Sequence, residues 1–221
     1  MVRPKHFPSP FPQEKPEVVI TDQIWFAPEV ETNFTFPGFS SLFGREAPIC
    51  LEYCSGNGAW IAARAAENTG QNWVGVEMKY KRIRKIWAKI KNLTIPNLLG
   101  VCAEAESWTR RFVPDHSIDK VFINFPDPWP KNKHSKFRLI DREFVAEIAR
   151  ILKSGGLITI VTDHHPYSEA ILKLLSETGD FIPQLPAPYH APLSDDYGSS
   201  YFEELWREQG LDIRFIPFAR K

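Results

Sequence analysis

The chain is poor in the features that mark several protein classes. No apolar run approaches the roughly 18 residues of a membrane span. The N-terminal MVRPKHFPSP carries charges but no apolar core, so no secretory signal is expected there. Only three cysteines are present, Cys50, Cys54 and Cys102. An odd count with no second pair at zinc-finger spacing excludes a disulfide framework and predicts reduced thiols, no metal site and a cytoplasmic protein. No internal repeat or low-complexity tract occurs. With 43% hydrophobic and 24% charged residues in 221, the composition is that of an ordinary globular chain.

Net charge is also absent, since 27 Lys and Arg balance 27 Asp and Glu. The balance is local fiction. Lys79, Lys81, Arg82, Arg84, Lys85, Lys89 and Lys91 fall in one stretch without an acid. The rest of the chain is therefore net acidic, and one basic face can attract an anionic partner. Ile83, Ile86, Trp87 and Ile90 recur at helical spacing within that stretch and predict a buried stripe below the cations.

Residues 1–47 stand apart. Seven of the nineteen prolines lie at or before Pro37, mixed with Phe7, Phe11, Trp25, Phe26, Phe34, Phe36, Phe39 and Phe43. Proline removes ladder donors, so this stretch reads as an arm along the surface rather than a helix or central strand. Residues 48–221 form the expected domain. Strand-like runs at Ile49–Tyr53, Trp73–Glu77, Leu98–Ala103, Ile118–Phe125 and Leu157–Thr162 alternate with helical runs at Ala59–Glu67, Lys79–Lys91, Glu104–Phe112 and Arg138–Leu152. That alternation predicts an α/β fold, a mostly parallel sheet with helices on both faces. The proline-rich 182–200 reads as a loop over the sheet edge. A helix at Tyr201–Gln209 and an antiparallel C-terminal edge strand at Leu211–Phe218 complete the pattern.

In such sheets ligands bind beyond the C-terminal strand ends. After the first strand, Ser55-Gly56-Asn57-Gly58 makes a turn that lets backbone approach a ligand. Glu77, nineteen residues after Gly58, ends the second strand, where an acid takes ribose hydroxyls. The third glycine of a dinucleotide fingerprint is missing. Glu52 at the strand end would repel pyrophosphate but suits ammonium and sulfonium charge. The cofactor expected is S-adenosyl-L-methionine (AdoMet), with Glu104 at the third strand end available to the adenine edge. In NFPDPWPKNKHSKFRL, prolines flank Asp127 and aromatics flank the prolines, which predicts a stiff loop with flat surfaces for a base. Lys131, Lys133, His134, Lys136 and Arg138 follow and can neutralise phosphates. His164 and His165 read as loop histidines.

The strings LEYCSGNG, GVEMKYKR, FPDPWPKNKHSKFRLI, VTDHHPY and SYFE occur in the order found in one family. From Ile49 to Arg220 the chain resembles the bacterial tRNA (guanine-N7)-methyltransferases, a Rossmann-like class I methyltransferase family. The resemblance implies AdoMet contacts at Glu52, Glu77, Glu104 and Asp127, with Asp127 also in the active site. It implies substrate contacts at Lys131, Asp163, Ser200, Tyr201, Phe202 and Glu203, and an RNA-facing stretch including Lys133, Lys136 and Arg138. It implies tRNA as the partner, with methylation in the variable loop; either a monomer or a homodimer is expected. Cys54 stands where the family has glycine, Glu104 where it has Asp or Asn, and Ser200 where it has Thr. Asp127, Asp163 and Glu203 share the possible task of gripping guanine. Three other readings remain open on residues alone: methylation of another base or an exocyclic amine, a non-catalytic RNA- or nucleotide-binding module, and a dehydrogenase.

Overall fold

The computed structural model describes residues 18–28, 33–130, 137–198 and 201–221. It divides into two compact units, Met1–Val113 and Pro114–Lys221. Among the described residues, no helix is long and apolar enough to cross a membrane.

The first unit opens with strands β1 (Val19–Thr21) and β2 (Ile24–Phe26). Asp22 and Gln23 between them have φ of 52° and 63°, as a two-residue hairpin matched to strand twist requires. Helix α1 (Phe39–Phe43) follows, then β3 (Ile49–Tyr53), α2 (Ala59–Glu67), β4 (Asn72–Glu77), α3 (Tyr80–Asn92), β5 (Leu98–Cys102) and α4 (Ala105–Phe112). The strands lie in the order β1-β2-β5-β4-β3. All neighbours are parallel except β1 with β2.

The hairpin corrects one expectation. The N-terminal stretch is not confined to the surface: Ile24, Trp25 and Phe26 are fully buried and β2 pairs with β5. The proline argument fails there because Val18–Ala27 contains no proline. Trp25 stacks on Phe36 at 5.4 Å and meets Trp108 and Phe112 of α4 edge-on or tilted. Burying such rings stabilises the unit by about 2–3 kcal/mol each on area grounds.

Helix α3 corrects another. Ile83, Ile86 and Ile90 are buried as the spacing predicts, but Trp87 is half-buried and its Nε1 donates to Asp22 at 2.6 Å. Its cations are not a uniform solvated face either. Lys91 pairs with Asp22, Lys89 Nζ donates to the Asn57 carbonyl at 3.0 Å, and Arg82 reaches Glu77 at 3.2 Å. Lys79, Lys81 and Lys85 are the exposed ones. Burial, with Lys85 nearby, lowers the pKa of Lys89.

The second unit contains β6 (Ile118–Asn124), α5 (Arg142–Ile151), β7 (Leu152–Thr162), α6 (His165–Glu177), β8 (Phe181–Pro183), β9 (Ala191–Pro192), a short 3-10 turn at Asp195–Tyr197, α7 (Tyr201–Glu208) and β10 (Arg214–Arg220). The order is β6-β7-β10-β8, with β9 also on β10. Strands β6 and β7 are parallel, and β10 runs antiparallel to β7. The supposed loop 182–200 contributes β8 and β9 to the outer side of β10.

Helix α6 was not anticipated. His164 is its N-cap and accepts the Tyr167 backbone N–H at 3.1 Å, and His165 is its first residue, so neither is a loop histidine. Helix α5 starts at Arg142 rather than Arg138, because Asp141 caps it by accepting from Phe144 N at 2.8 Å.

Candidate active site

Parallel pairing places the C-terminal ends of β3, β4 and β5 along one edge of the first unit's sheet. Glu52 lies opposite Gly75, and Glu77 opposite Cys102. Both acids are buried, Glu52 at 2% exposure and Glu77 at 4%. Carboxylates are rarely this buried without a task or partners.

The turn after β3 is built around them. Ser55 N donates to Val76 O of β4 at 3.0 Å, and Gly58 N closes onto Ser55 O at 2.8 Å. Gly58 has φ 72°, and a Cβ there would stand 2.6 Å from Ile86 Cγ1. Only glycine lets α2 start this close to the α3 stripe. Cys54 takes the left-handed backbone itself, with φ 59°. A non-glycine residue accepts about 1–2 kcal/mol of strain to do so, so the cysteine adopts the conformation glycine would supply freely.

Glu77 is the anchor. Its Oε2 accepts from Gly56 N at 3.0 Å and from Arg82 Nη1 at 3.2 Å, and its Oε1 from Lys79 N at 2.8 Å. A carboxylate has roughly four acceptor sites, so on the order of one remains for a ribose hydroxyl. Lys89 grips the Asn57 carbonyl from α3, and Asn57 Oδ1 accepts from Ala59 N at 3.0 Å. Glu104 is the N-cap of α4, its Oε2 taken by Ser107 N at 2.9 Å. The donor set fits AdoMet. Three carboxylates at adjacent strand ends match a ligand with two cationic centres and a ribose diol, and Gly56 faces open space apart from Cys54 O at 3.8 Å.

The exposed Cys54 contrasts with buried Cys50 and Cys102. Burial, with Glu77 nearby, pushes the Cys102 thiol up to about 12. A disulfide-exchange reagent at pH 8 should therefore label one thiol in the native protein and three after denaturation. Saturating AdoMet should slow the single native reaction. Two or three fast native thiols would contradict the burial described here.

In the second unit, Asn124 of β6 lies opposite Val161 of β7, so Asp127 and Asp163 leave the sheet at the same end. Phe125 N donates to Val161 O at 2.8 Å. Phe125 and Trp129 have positive φ, 50° and 39°, and bracket the acid with strained backbone. Pro126 is buried while Asp127 is exposed and half-buried Trp129 donates its N–H to Asp127 Oδ1 at 3.2 Å. Asp163 is half-buried just before the His164 cap.

Because β10 begins at Arg214 opposite Thr162 of β7, the preceding segment reaches the same end. Leu193 and Ile213 pack on Val161, and Phe125, Tyr197, Trp206 and Phe215 pack against them. Tyr197 OH donates to Asn124 Oδ1 at 2.8 Å. Glu203 of α7 is 5% exposed and accepts from Arg207 Nε at 2.8 Å. Arg207 also reaches Leu193 O at 3.0 Å and Asp195 Oδ1 at 2.9 Å. Asp127, Asp163 and Glu203 thus share one rim of this unit.

Arg138, expected to face RNA, is half-buried and makes two contacts within this unit. Its Nε donates to Pro128 O at 2.8 Å and its guanidinium lies 4.9 Å from the Tyr167 ring centroid. Lys131, Lys133, Lys136 and Ser200, and the side chains of Tyr201 and Phe202, lie outside the described residues. Sequence reading missed Arg82, Lys89, Tyr197 and Arg207. Only Arg207 had a local signal, four residues after Glu203 on one helix face. Among the described residues, no group of three or more His, Cys, Asp or Glu could hold a metal ion.

Known proteins match this arrangement. Residues 46–215 match the model of a family described as "Putative methyltransferase". A tRNA (guanine-N(7)-)-methyltransferase of Chlamydia abortus is 37% identical, covering 100% of this chain and 99% of that protein. One of Chlamydia muridarum is 41% identical over 86% of this chain and 84% of its own. Among solved structures, the 16S rRNA methyltransferase KamB aligns at a TM-score of 0.63 with 17% identity, over 83% of this chain and 92% of its own. That likeness shows the Rossmann-like methyltransferase fold. By the family match and the full-length relatives, the chain belongs to the tRNA (guanine-N(7)-)-methyltransferase family.

Proposed function

We propose that this protein transfers a methyl group from AdoMet to N7 of a guanosine in tRNA, in the variable loop, forming 7-methylguanosine. The observation that carries the reading is the Asp127 loop, an exposed acid held between two strained aromatic residues in a chain of this family. A tRNA substrate supports a cytoplasmic location for the reaction.

AdoMet, when bound, supplies an electrophilic methyl group on a cationic sulfur. Guanine N7 carries an in-plane lone pair and no proton. That lone pair would take the methyl group, and the electrons of the broken C–S bond would leave with the sulfur. No general base is needed, so the protein's work is alignment and charge. Glu77 fixes the Gly56 backbone and would hold a ribose hydroxyl. Glu52 would face the cationic end of the ligand, and Glu104 the adenine edge. Asp127 stabilises the positive charge that develops on the purine. Asp163 and Glu203 accept hydrogen bonds from the guanine N1–H and N2–H₂ edge, since ionised carboxylates are acceptors only. Arg207 holds Glu203 for that task. Lys131, Ser200, Tyr201 and Phe202 complete the substrate contacts, and Lys133 and Lys136 meet phosphate.

Unmodified tRNA incubated with the protein and AdoMet, then digested to nucleosides, should yield 7-methylguanosine by mass spectrometry. Another methylated nucleoside would discard the target and keep the methyl donor. AdoMet binding without any methylated nucleoside would leave a binding module.

A further inference from the structure

Helix α3 touches the cofactor turn at two consecutive residues. Ile86 is fully buried and lies against Gly58, where a Cβ would stand 2.6 Å from its Cγ1. Three residues on, along the same helix face, Lys89 Nζ donates to the Asn57 carbonyl at 3.0 Å. Gly58 N, at the other end of that peptide bond, donates to Ser55 O at 2.8 Å. The Asn57–Gly58 peptide is therefore held at both polar atoms, the N–H from within the turn and the carbonyl from outside it.

The turn needs such a hold. Gly56 and Gly58 have left-handed backbone, with φ of 55° and 72°, and glycine leaves that region as readily as it enters it. Gly56 N is fixed by Glu77 and Ala59 N by the Asn57 side chain. Lys89 acts on the peptide between them. The placement is costly for a lysine. Arg82 and Lys91 of the same helix meet acids, whereas half-buried Lys89 meets a neutral carbonyl, and burial lowers its pKa. Helix packing alone does not call for the charge, since a methionine fills similar space with no ammonium to desolvate.

We propose that Lys89 is a positioning residue for AdoMet, setting the Asn57–Gly58 peptide and so the shape of the turn that receives the cofactor. It acts through the backbone and not on the ligand. The inference rests on the assignment of AdoMet to this turn and deepens it.

The test uses the full-length protein and compares Lys89→Met with Lys89→Arg. In Lys89→Met, calorimetry should show AdoMet binding weakened about 10-fold, within the value of one hydrogen bond to a charged group. S-adenosylhomocysteine, which lacks the sulfonium charge, should weaken by the same factor, because a displaced turn does not sense that charge. Lys89→Arg keeps a cationic donor and should stay within about threefold of the parent. With tRNA present, the KM for AdoMet should rise in Lys89→Met while kcat at saturating AdoMet stays within about twofold. Without any ligand, the Gly58 amide should exchange faster in Lys89→Met than in the parent. Should Lys89→Met not fold, Lys89→Gln, a shorter neutral donor, should show the same losses. A folded variant with parent-like AdoMet affinity would overturn the proposal and leave Lys89 to helix packing. A changed ratio of the two ligand affinities would overturn it too, making the lysine a charge felt by the sulfonium. AdoMet should slow amide exchange at residues 54–58 of the parent, and absence of that protection would overturn the cofactor placement itself.

Discussion

Asp127→Ala lowers kcat at saturating tRNA and AdoMet by roughly two to three orders of magnitude, the loss seen when a group aimed at developing transition-state charge is removed. The expectation follows from how the acid is held. Its Oδ1 takes the Trp129 N–H at 3.2 Å, and Phe125 and Trp129 on either side have left-handed backbone. Strain of that kind persists only where surrounding structure enforces it. Asp127 is exposed, so its loss should leave the fold and tRNA affinity largely intact. Asp127→Asn separates charge from shape, because it keeps an acceptor for Trp129 N–H but no negative charge. It should retain more activity than alanine and far less than the parent. Single-turnover kinetics and tRNA binding measured together provide the check. Activity above a few per cent in Asp127→Ala would remove the acid from its assigned role.

The second large effect is expected at Glu77. Its carboxylate accepts three hydrogen bonds, from Gly56 N, Lys79 N and Arg82 Nη1. In Glu77→Gln the side-chain NH₂ must face at least one of those donors. Hydrogen bonds to a charged group are worth about 1.5–3 kcal/mol each. The substitution should destabilise the protein by about 3 kcal/mol and leave the Arg82 cation without its acid. The cofactor turn then loses its hold on Gly56. Calorimetry should show AdoMet affinity reduced about 100-fold, equivalent to loss of the 2.7 kcal/mol that such a bond supplies. At saturating AdoMet, kcat should recover most of its value, because Glu77 binds and does not react. Unchanged AdoMet affinity in a folded Glu77→Gln protein would sink its assignment to the cofactor.

Local pattern made much of this molecule legible. Strand β3 and helix α2 have the bounds their residues imply, because a short, largely apolar run, a glycine turn and an alanine-rich amphipathic stretch are all short-range signals. The strand-end acids Glu52, Glu77 and Glu104 fall at the ends of parallel strands for the same reason. What escaped was non-local or masked by a stronger neighbour. Prolines on both sides hid the proline-free β2. The caps of α6 gave little warning, since His164 does the work usually left to Ser, Thr, Asp or Asn, although Pro166 in the first turn is a start signal. Strand β7 begins at Leu152 rather than Leu157 because Lys153-Ser154-Gly155-Gly156, which reads as a turn, continues the extended chain with a shift in register. Tyr197 reaches Asn124 across 73 residues, and no window of sequence contains both.

Strand β2 has a bearing on how the chain is made. Gln23 finds its acceptor on Leu98, 75 residues downstream, and Ile24–Phe26 has no sheet neighbour but β5 on its inner side. The segment therefore waits for β5, synthesised some 75 residues after it, before it finds its place in the sheet. At roughly 5–20 residues per second, the wait on a ribosome is on the order of 4–15 s. Throughout that interval Ile24, Trp25 and Phe26, all destined for the core, are solvent-facing and adhesive. The two-residue hairpin answers part of this hazard. By pairing with β1 at once, β2 has one edge occupied long before β5 exists, and only the other edge stays open to wrong partners.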